Sequence, residues 1–177
     1  MGDYYLSNFD THAFLLDTKP TTTAAALTGE IDSINTISGG SPTVNIKENY
    51  HIDGDGYASK TPLSRNVEDI EINFDRKADA VYSPSGTDVY SRFRNWTENN
   101  ISQHKWLVIV YYRGKSSNTD IYEGICYDVS AAGFTDDTKD ADNVQSSTFR
   151  MAVSGGRINV TIAKTGDSTF TVALPST

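Results

Sequence analysis

The sequence predicts a mainly β protein, an antiparallel β-sandwich or partly rolled barrel with one flanking α-helix. Three observations support this fold class. Apolar and polar residues alternate in roughly eight to ten short stretches, which is the pattern of half-buried strands. Only one stretch has helical periodicity, and no repeat of fixed period divides the chain. At 177 residues, the chain is predicted to form a single domain, residues 1–177, which needs no disulfide or metal to hold its core.

The first third of the chain is predicted to hold an N-terminal arm, short strands and a long loop. Residues 13–16 form the better of the early strand candidates. Residues 29–38 place isoleucines at a helical spacing, yet the surrounding Ser, Asn, Thr and Gly residues favour a bulged strand or an irregular extended chain. Residues 48–66 are polar and rich in glycine, so they are predicted to form a protruding loop rather than part of the core.

The next segment, residues 67–76, is predicted to be a strand with one apolar and one acidic face. The apolar side chains are Ile70, Ile72 and Phe74. The polar side chains that alternate with them are Glu71, Asn73 and Asp75. Because successive side chains of a strand point to opposite sides, the first set is assigned to the core and the second to a wet, acidic surface.

The only predicted helix lies between residues 85 and 100. Val89, Phe93 and Trp96 recur at i, i+4 and i+7 and share one helix face, which is predicted to pack on the core. Ser85 and Asp88 form a pair that resembles a capping box and marks the start of the helix.

The central strands follow the helix. Residues 104–113 carry apolar side chains on both faces, which predicts a strand covered by a sheet on one side and by the helix on the other. In the next strand, Cys126 lies opposite the apolar set of Ile125, Tyr127 and Val129. The last strands are predicted around residues 149–153, 158–162 and 170–174, with a break at Gly155 and Gly156 between the first two.

Charge and composition exclude several functions. The chain has 23 acidic and 15 basic residues and a net charge of −8, so it is not expected to grip phosphates. Negative charge also simply aids solubility. The one cysteine cannot form an internal disulfide, which favours synthesis in a reducing cytoplasm. The first residues carry no secretory signal, and no apolar run is long enough for a membrane span.

No arrangement of reactive residues stands out. The histidines His12, His51 and His104 are far apart in the sequence and match no metal-ligand spacing. Asp53 and Asp55 begin like a calcium loop, but the third ligand position is Tyr57 and no glutamate follows at the required distance, so a bend is predicted instead. The sequence therefore predicts no catalytic residue, no metal and no cofactor. We expect the chain not to be an enzyme.

The order of elements over residues 85–156 resembles the latter half of the tail tube proteins, or major tail proteins, of long-tailed bacteriophages. The resemblance is carried by the amphipathic helix, the aliphatic strand, the segment YEGICYDVSAAGF, the acidic linker DDTKDADN and the segment STFRMAVSGG. It implies a structural virion protein whose hexameric rings stack into a hollow tail tube that delivers DNA. The implied partners are other copies of the chain, a tape-measure protein, a tail terminator and baseplate proteins, with no membrane.

The resemblance also suggests roles for surface residues. Candidates for the lumen wall are Glu71, Asn73 and Asp75. Candidates for contacts between rings are Asp53, Asp55, Lys60 and Arg65, together with the N-terminal arm. Two alternatives stay open at this point: a monomeric carbohydrate-binding β-sandwich module, and a small hydrolase on a jelly roll. Exposed aromatic residues would favour the first, and a polar cleft with paired titratable groups would favour the second.

Overall fold

The computed structural model describes residues 11–49, 59–76, 81–136 and 145–176. About 62% of the described residues lie in strands. One helix accompanies a strongly curled antiparallel sheet that forms a half-barrel. The strands are β1 (Thr11–Leu16), β2 (Ala25–Ala26), β3 (Ile34–Ser38), β4 (Pro42–Asn49), β5 (Ser59–Val67), β6 (Ile70–Asp75), β7 (His104–Ser116), β8 (Thr119–Asp136), β9 (Ser146–Lys164) and β10 (Phe170–Ala173), and the helix is α1 (Val89–Asn99). The predicted mainly β fold with one helix is confirmed.

The main sheet has the strand order β1-β7-β8-β9-β10-β2. A branch leaves it at β9, whose first part also pairs with β6, and β6 in turn pairs with β3. Strands β4 and β5 form a separate two-stranded sheet. Every pairing is antiparallel.

One side of the half-barrel is closed by the segment 25–31. Its first residues pair with β10, and the Leu27 amide donates to the Phe170 carbonyl at 2.8 Å. Its last residues meet β1, where the Ile31 amide donates to the Ala13 carbonyl at 2.8 Å. The strands so joined enclose the barrel cluster, which we define as Phe14, Leu27, Val108, Val110, Cys126, Val160, Phe170 and Val172.

The other core lies under the helix. This helix-side cluster contains the three predicted helix residues Val89, Phe93 and Trp96, all buried, together with apolar side chains of β6, β7, β8 and β9. The Phe93 ring stacks on Phe149 with 4.2 Å between the ring centroids. This helix face therefore lies against the core of the sheet.

The helix begins one turn later than the sequence suggested. Asp88 is the N-cap, and its carboxylate accepts the Ser91 amide at 2.9 Å. The Ser85 hydroxyl instead lies 3.4 Å from the Ser83 hydroxyl, so the proposed pairing of Ser85 with Asp88 was wrong. A carboxylate at the N-cap satisfies an amide donor and interacts favourably with the helix dipole.

Strand β7 separates the two clusters, as its apolar residues on both faces predicted. Leu107 and Ile109 join the helix-side cluster, whereas Val108 and Val110 join the barrel cluster. On β8, Cys126 is fully buried in the barrel cluster, and this burial raises the pKa of its thiol to about 12. Cys126 is therefore a buried apolar side chain, as expected, and not a nucleophile.

Strand β9 runs unbroken through Gly155 and Gly156, so the predicted break there was wrong. Gly155 has φ 77°, and the pairing with β8 shifts register between Asp128–Ser154 and Cys126–Ile158. Such a bulge lets a strand turn without ending. Before the glycines β9 contributes to the helix-side cluster, and after them it contributes to the barrel cluster.

The predicted loop at residues 48–66 was wrong for its second half. Residues 59–66 belong to β5, which pairs with β4 over the whole described length of both strands. Their polar composition reflects exposure to solvent on a hairpin, not an irregular backbone. Residues 50–58 lie outside the described residues.

Strand β3 and the two glycines after it hold the β4–β5 hairpin to the body. β3 contains the predicted bulge, between Ile34 and Thr36. Gly39 and Gly40 follow with φ 86° and 74°, and a Cβ on Gly39 would lie 1.9 Å from the Asp69 carbonyl oxygen. Only glycine fits this turn, because it needs a left-handed backbone and a close approach.

Candidate functional site

Two exposed surfaces stand out in the described part of the chain. The first is the arm, which we define as strands β4 and β5. The second is the polar face, defined as the outward side of β3, β6, the first part of β9 and the last part of β8.

The arm has one polar side and one mixed side. Residues that pair directly across an antiparallel ladder share a side. The mixed side therefore carries Val44, Ile46, Lys60, Pro62 and Arg65. Val44 and Ile46 are 48% and 55% exposed, and Leu63 at the register shift is 64% exposed. A two-stranded hairpin is marginally stable alone in water, so this exposed apolar side is expected to be covered.

The opposite side of the arm is hydrophilic throughout. It carries Thr43, Asn45, Lys47, Thr61, Ser64 and Asn66. The Asn45 amide donates to the Ser64 hydroxyl at 3.0 Å, which links the two strands. Because these side chains are all polar, this side of the arm is a solvent-facing surface.

The four residues predicted to contact a neighbouring ring fall in different parts of the arm region. Lys60 and Arg65 lie on the mixed side of the arm and are exposed. Asp53 and Asp55 lie outside the described residues, as do residues 1–10 of the predicted N-terminal arm. Residues 11–16 of that region form β1, inside the main sheet.

The polar face holds the three residues predicted for a lumen wall. Glu71 is exposed, and Asn73 and Asp75 are half-buried, each alternating with a buried residue of β6. The Asn73 amide donates to the Thr148 hydroxyl at 2.9 Å, and the Asn35 amide donates to Asn73 at 3.1 Å. A hydrogen-bonded polar layer thus covers this side of the sheet.

Charge on the polar face is acidic. Asp75 accepts a hydrogen bond of 2.5 Å from the Asn35 amide, and Glu71 stands opposite Ser38 and Arg150 in the ladder. The guanidinium of Arg150 contacts the Asp69 carboxylate at 2.7 and 3.0 Å. An ion pair at the rim leaves this surface with few cations to hold a polyanion.

The sheet behind the polar face has two open edges. β3 pairs with β6 on one side, and no strand among the described residues pairs with its other side. At the far end, β7 leaves β8 after Ser130, so residues 131–136 of β8 pair with β9 alone within the described part of the chain. Unpaired strand edges present backbone donors and acceptors to another strand.

A cleft of about 360 Å³ lies at the end of β6, beside the start of the helix. Phe74, Val89 and Tyr90 form part of its wall, and its charged lining residues are Glu30, Asp32, Asp75, Arg76 and Asp88. The Arg76 guanidinium lies over the Tyr90 ring at 3.8 Å. The cleft therefore combines an aromatic wall with more negative than positive charge.

The cleft was missed by sequence reasoning. Its carboxylates come from three separate segments of the chain, at residues 30–32, 75 and 88, and each looks like ordinary surface charge by itself. The sequence feature closest to the cleft was the polar segment between β6 and the start of α1. The pairing of β3 with β6 brings residues 30–32 near Asp75, and the start of the helix adds Asp88.

The histidines and carboxylates of the described residues do not assemble into a metal site. Among residues 11–49, 59–76, 81–136 and 145–176, no group of three His, Cys, Asp or Glu side chains could hold a metal ion. His12 contacts Glu30 at 2.8 Å and His104 contacts Asp128 at 2.7 Å, in separate pairs. His51 lies outside the described residues.

Shifted pKa values among the described residues follow from burial and from local ion pairs and hydrogen bonds. Burial raises the pKa of the Tyr111 and Tyr127 hydroxyls. The Lys105 ammonium, hydrogen-bonded to the Asp17 carboxyl, lowers the pKa of that group. These groups do not converge on the cleft or on the polar face, so the shifts indicate structural roles.

A sugar-stacking platform is not formed by the tryptophans. Trp96 is 2% exposed in the helix-side cluster, and its indole N–H donates to the Gln103 carbonyl at 2.9 Å. Trp106 is half-buried, with the Lys19 ammonium 5.3 Å from its ring centroid. Both side chains therefore serve packing.

No helix in the described part of the chain has the length and apolar character to span a membrane.

The fold places the chain among proteins with a phage-tail-like tube fold. Its amino-acid sequence matches no protein-family model and no curated protein sequence. The comparison with solved structures identifies the fold alone, because sequence identity with the matching chains is low.

Three solved structures illustrate the similarity. A chain of the sheath–tube complex of PVC, an extracellular contractile injection system, matches with a TM-score of 0.60 and 13% identity over 89% of this chain and 92% of that chain. A chain of the tube-terminating cap of the anti-feeding prophage matches with a TM-score of 0.62 and 13% identity over 91% and 94%. A chain of that prophage's baseplate matches with a TM-score of 0.59 and 11% identity over 91% and 98%.

Proposed function

We propose that this protein is a structural, non-enzymatic subunit of a phage-tail-like tube, in which hexameric rings of the chain stack around a hollow channel. The observation that carries the proposal is the pair of open edges on the sheet behind the polar face, in a fold shared with components of contractile injection systems. Neighbouring copies complete that sheet by pairing β3 of one copy with residues 131–136 of the next. A closed ring leaves no strand edge exposed.

The polar face lines the channel in this arrangement. Glu71, Asn73 and Asp75 then face the passage, and the helix lies on the opposite side of the same sheet. A wall of carboxylates and amides repels nucleic acid and lets it slide. DNA passes through without specific binding, as in the tail tube of a long-tailed bacteriophage.

The arm connects successive rings. Its mixed side exposes Val44, Ile46 and Leu63, and burying these side chains against another ring removes apolar surface from water. Lys60 and Arg65 lie on the same side and supply charge contacts. We assign Asp53, Asp55 and the N-terminal residues to the same inter-ring contact.

The proposed tube has the partners expected of such an assembly. A tape-measure protein occupies the channel during assembly, a tail terminator closes one end, and a baseplate nucleates the other. The protein is then located in the virion after synthesis in the host cytoplasm. The cap and baseplate chains among the structural neighbours support partners of these kinds.

Electron microscopy of the purified protein over a range of concentrations tests the proposal. We expect rings or tubes of uniform bore with six-fold symmetry, and sedimentation velocity should show a loss of monomer as the concentration rises. Because some tubes require nucleation, a preformed baseplate or tube fragment is added as a seed in parallel. A protein that stays monomeric in both conditions would overturn the proposal.

The lumen assignment is tested by thiol labelling of a Glu71→Cys variant. In the monomer the new thiol should react with both a small maleimide and a maleimide attached to a large polymer. In closed tubes it should react only with the small reagent, because the polymer cannot enter the bore. Wild-type protein is the control, since its only thiol, Cys126, is buried. Equal reaction with the large reagent in tubes would place Glu71 on the outside.

A further inference from the structure

The arm and the cleft lie at opposite ends of the paired strands β3 and β6. The arm leaves the body next to Ile70, where the Glu68 amide donates to the Ser41 carbonyl at 3.0 Å. The cleft is lined by Asp75 and Arg76, at the other end of β6. Six residues of strand at about 3.3 Å each separate the two features by roughly 20 Å. The cleft is thus placed away from the point where the same chain's arm emerges.

The two surfaces complement each other in charge. Within the described residues of the arm, the strands contain Lys47, Lys60 and Arg65 against one acidic residue, Glu48, whereas the whole chain carries −8. The intervening residues 50–58 add Asp53 and Asp55, so the positive charge belongs to the strands. The cleft presents four carboxylates and one guanidinium.

The arm also exposes apolar surface beside its charge. The side that bears Arg65 is the side that exposes Val44 and Ile46. The apolar residues in the cleft wall, Phe74, Val89 and Tyr90, are themselves almost fully buried. The charge of Arg65 against the acidic cleft therefore favours one register, and docking removes the apolar side chains of the arm from water.

We propose that the mixed side of the arm docks into the helix-side cleft of a second copy of this chain, with Arg65 placed among the carboxylates of Glu30, Asp32 and Asp75. This inference rests on the proposed function, to which it adds the receiving surface. A contact between opposite ends of two copies is heterologous, so it leaves a new arm and a new cleft at the ends of every stack. Such a contact propagates along an axis instead of ending at a dimer.

Charge reversal at matched positions tests the docking. Arg65→Glu is compared with Lys47→Glu, which makes the same charge change on the opposite side of the same arm. We expect Arg65→Glu to raise the concentration needed for tube formation at least tenfold, and Lys47→Glu to change it less than twofold. Circular dichroism and thermal unfolding confirm that both variants are folded. Equal effects of the two substitutions would overturn the inference.

A compensating substitution in the cleft makes the test specific. Asp32→Lys alone should weaken assembly as Arg65→Glu does, and the double variant Arg65→Glu/Asp32→Lys should return to within threefold of the wild type. A folded double variant whose assembly is as weak as that of either single variant would overturn the inference. The proposed tube itself would still stand. A wild-type protein that forms no tube with or without a seed would remove the proposed function itself and the inference with it.

Cross-linking gives an independent readout in assembled tubes. A variant with Arg65→Cys and Asp32→Cys should form disulfide-linked ladders on oxidation, and each single variant should not. Buried Cys126 does not contribute to these products. Tubes of the double variant that yield no ladder would overturn the docking geometry.

Discussion

The two halves of the core are closed in different ways. Around the barrel cluster, β1, β7, β8, β9, β10 and the segment 25–31 are joined by backbone hydrogen bonds within one chain. Over the helix-side cluster, the helix covers one face of the sheet, but β3 and the end of β8 remain open at its edges in the described part of the chain. The first half is complete in one copy, and the second half leaves two strand edges unpaired among the described residues.

This difference separates folding from assembly within one molecule. Both clusters are dry and share β7, so a single copy has a core large enough to fold. The open edges and the arm add little to that core, since their residues are largely exposed. Substitutions in the clusters should therefore change stability, whereas substitutions on the arm should change association.

The largest expected effect compares one large side chain from each cluster. Phe149→Ala and Phe170→Ala should each lower the free energy of unfolding by about 3–5 kcal/mol, because each leaves a cavity in packed surroundings. Phe149 contacts Phe93 and Trp96, and Phe170 contacts Phe14 and Tyr122. Urea unfolding followed by tryptophan fluorescence and by circular dichroism measures both. Two separate transitions in the wild type would show that the clusters do not fold as one unit.

The next effect concerns the junction between the open half and the arm. Gly39→Ala should destabilise the protein by at least about 2 kcal/mol, since φ is 86° and the added Cβ would lie 1.9 Å from the Asp69 carbonyl oxygen. Gly133→Ala is the control, because no atom lies within 4 Å of the Cβ that it adds. The midpoint of thermal unfolding reports the difference. A Gly39→Ala variant as stable as the Gly133→Ala variant would contradict the tight turn.

The pH dependence of stability tests the burial of Cys126 in the barrel cluster. The pKa of Cys126 is raised to about 12 by burial, so between about pH 9 and pH 12 the unfolded chain loses a thiol proton that the folded chain keeps. Stability should therefore fall as the pH rises through this range, by at most about 1.4 kcal/mol per pH unit from this group. A Cys126→Ala variant lacks this contribution, and the difference in slope between the two proteins measures it. Parallel slopes would contradict a dry barrel cluster.

The smallest of the four effects tests the helix that covers the open half. Asp88→Ala should cost about 1 kcal/mol, because the Ser91 amide loses its acceptor at the N-cap. Asp88→Asn keeps an acceptor and should cost less than half as much. Chemical denaturation of the three proteins gives the values. A loss of similar size in both variants would point to charge rather than capping.

Much of the fold could be predicted from the spacing of apolar residues along the sequence. The alternation of Ile70, Ile72 and Phe74 gave β6, and the spacing of Val89, Phe93 and Trp96 gave the buried face of α1. In both cases one side of the element is dry and the other wet, so the apolar residues recur at the period of the element.

The arm and the cleft could not be predicted for the opposite reason. Strand β5 buries almost nothing within one copy, so its sequence carries no alternation and resembled a loop. The continuity of β9 through Gly155 depends on a register shift against β8, which local sequence does not reveal. The cleft depends on three segments that are distant in the sequence and meet only in the folded chain. These features depend on tertiary contacts, which the secondary-structure propensities of single residues do not determine.

The left-handed turn at Gly39 and Gly40 has a consequence for the symmetry of an assembly. Gly40 is buried and its carbonyl accepts the Tyr127 hydroxyl at 3.3 Å, so the direction in which the arm departs is fixed by the body. In a stack joined by this arm, that direction sets the angular offset from one layer to the next. In the proposed tube, helical twist would then depend on these two backbone positions, and the bore diameter would depend on the strands proposed to join copies within a layer.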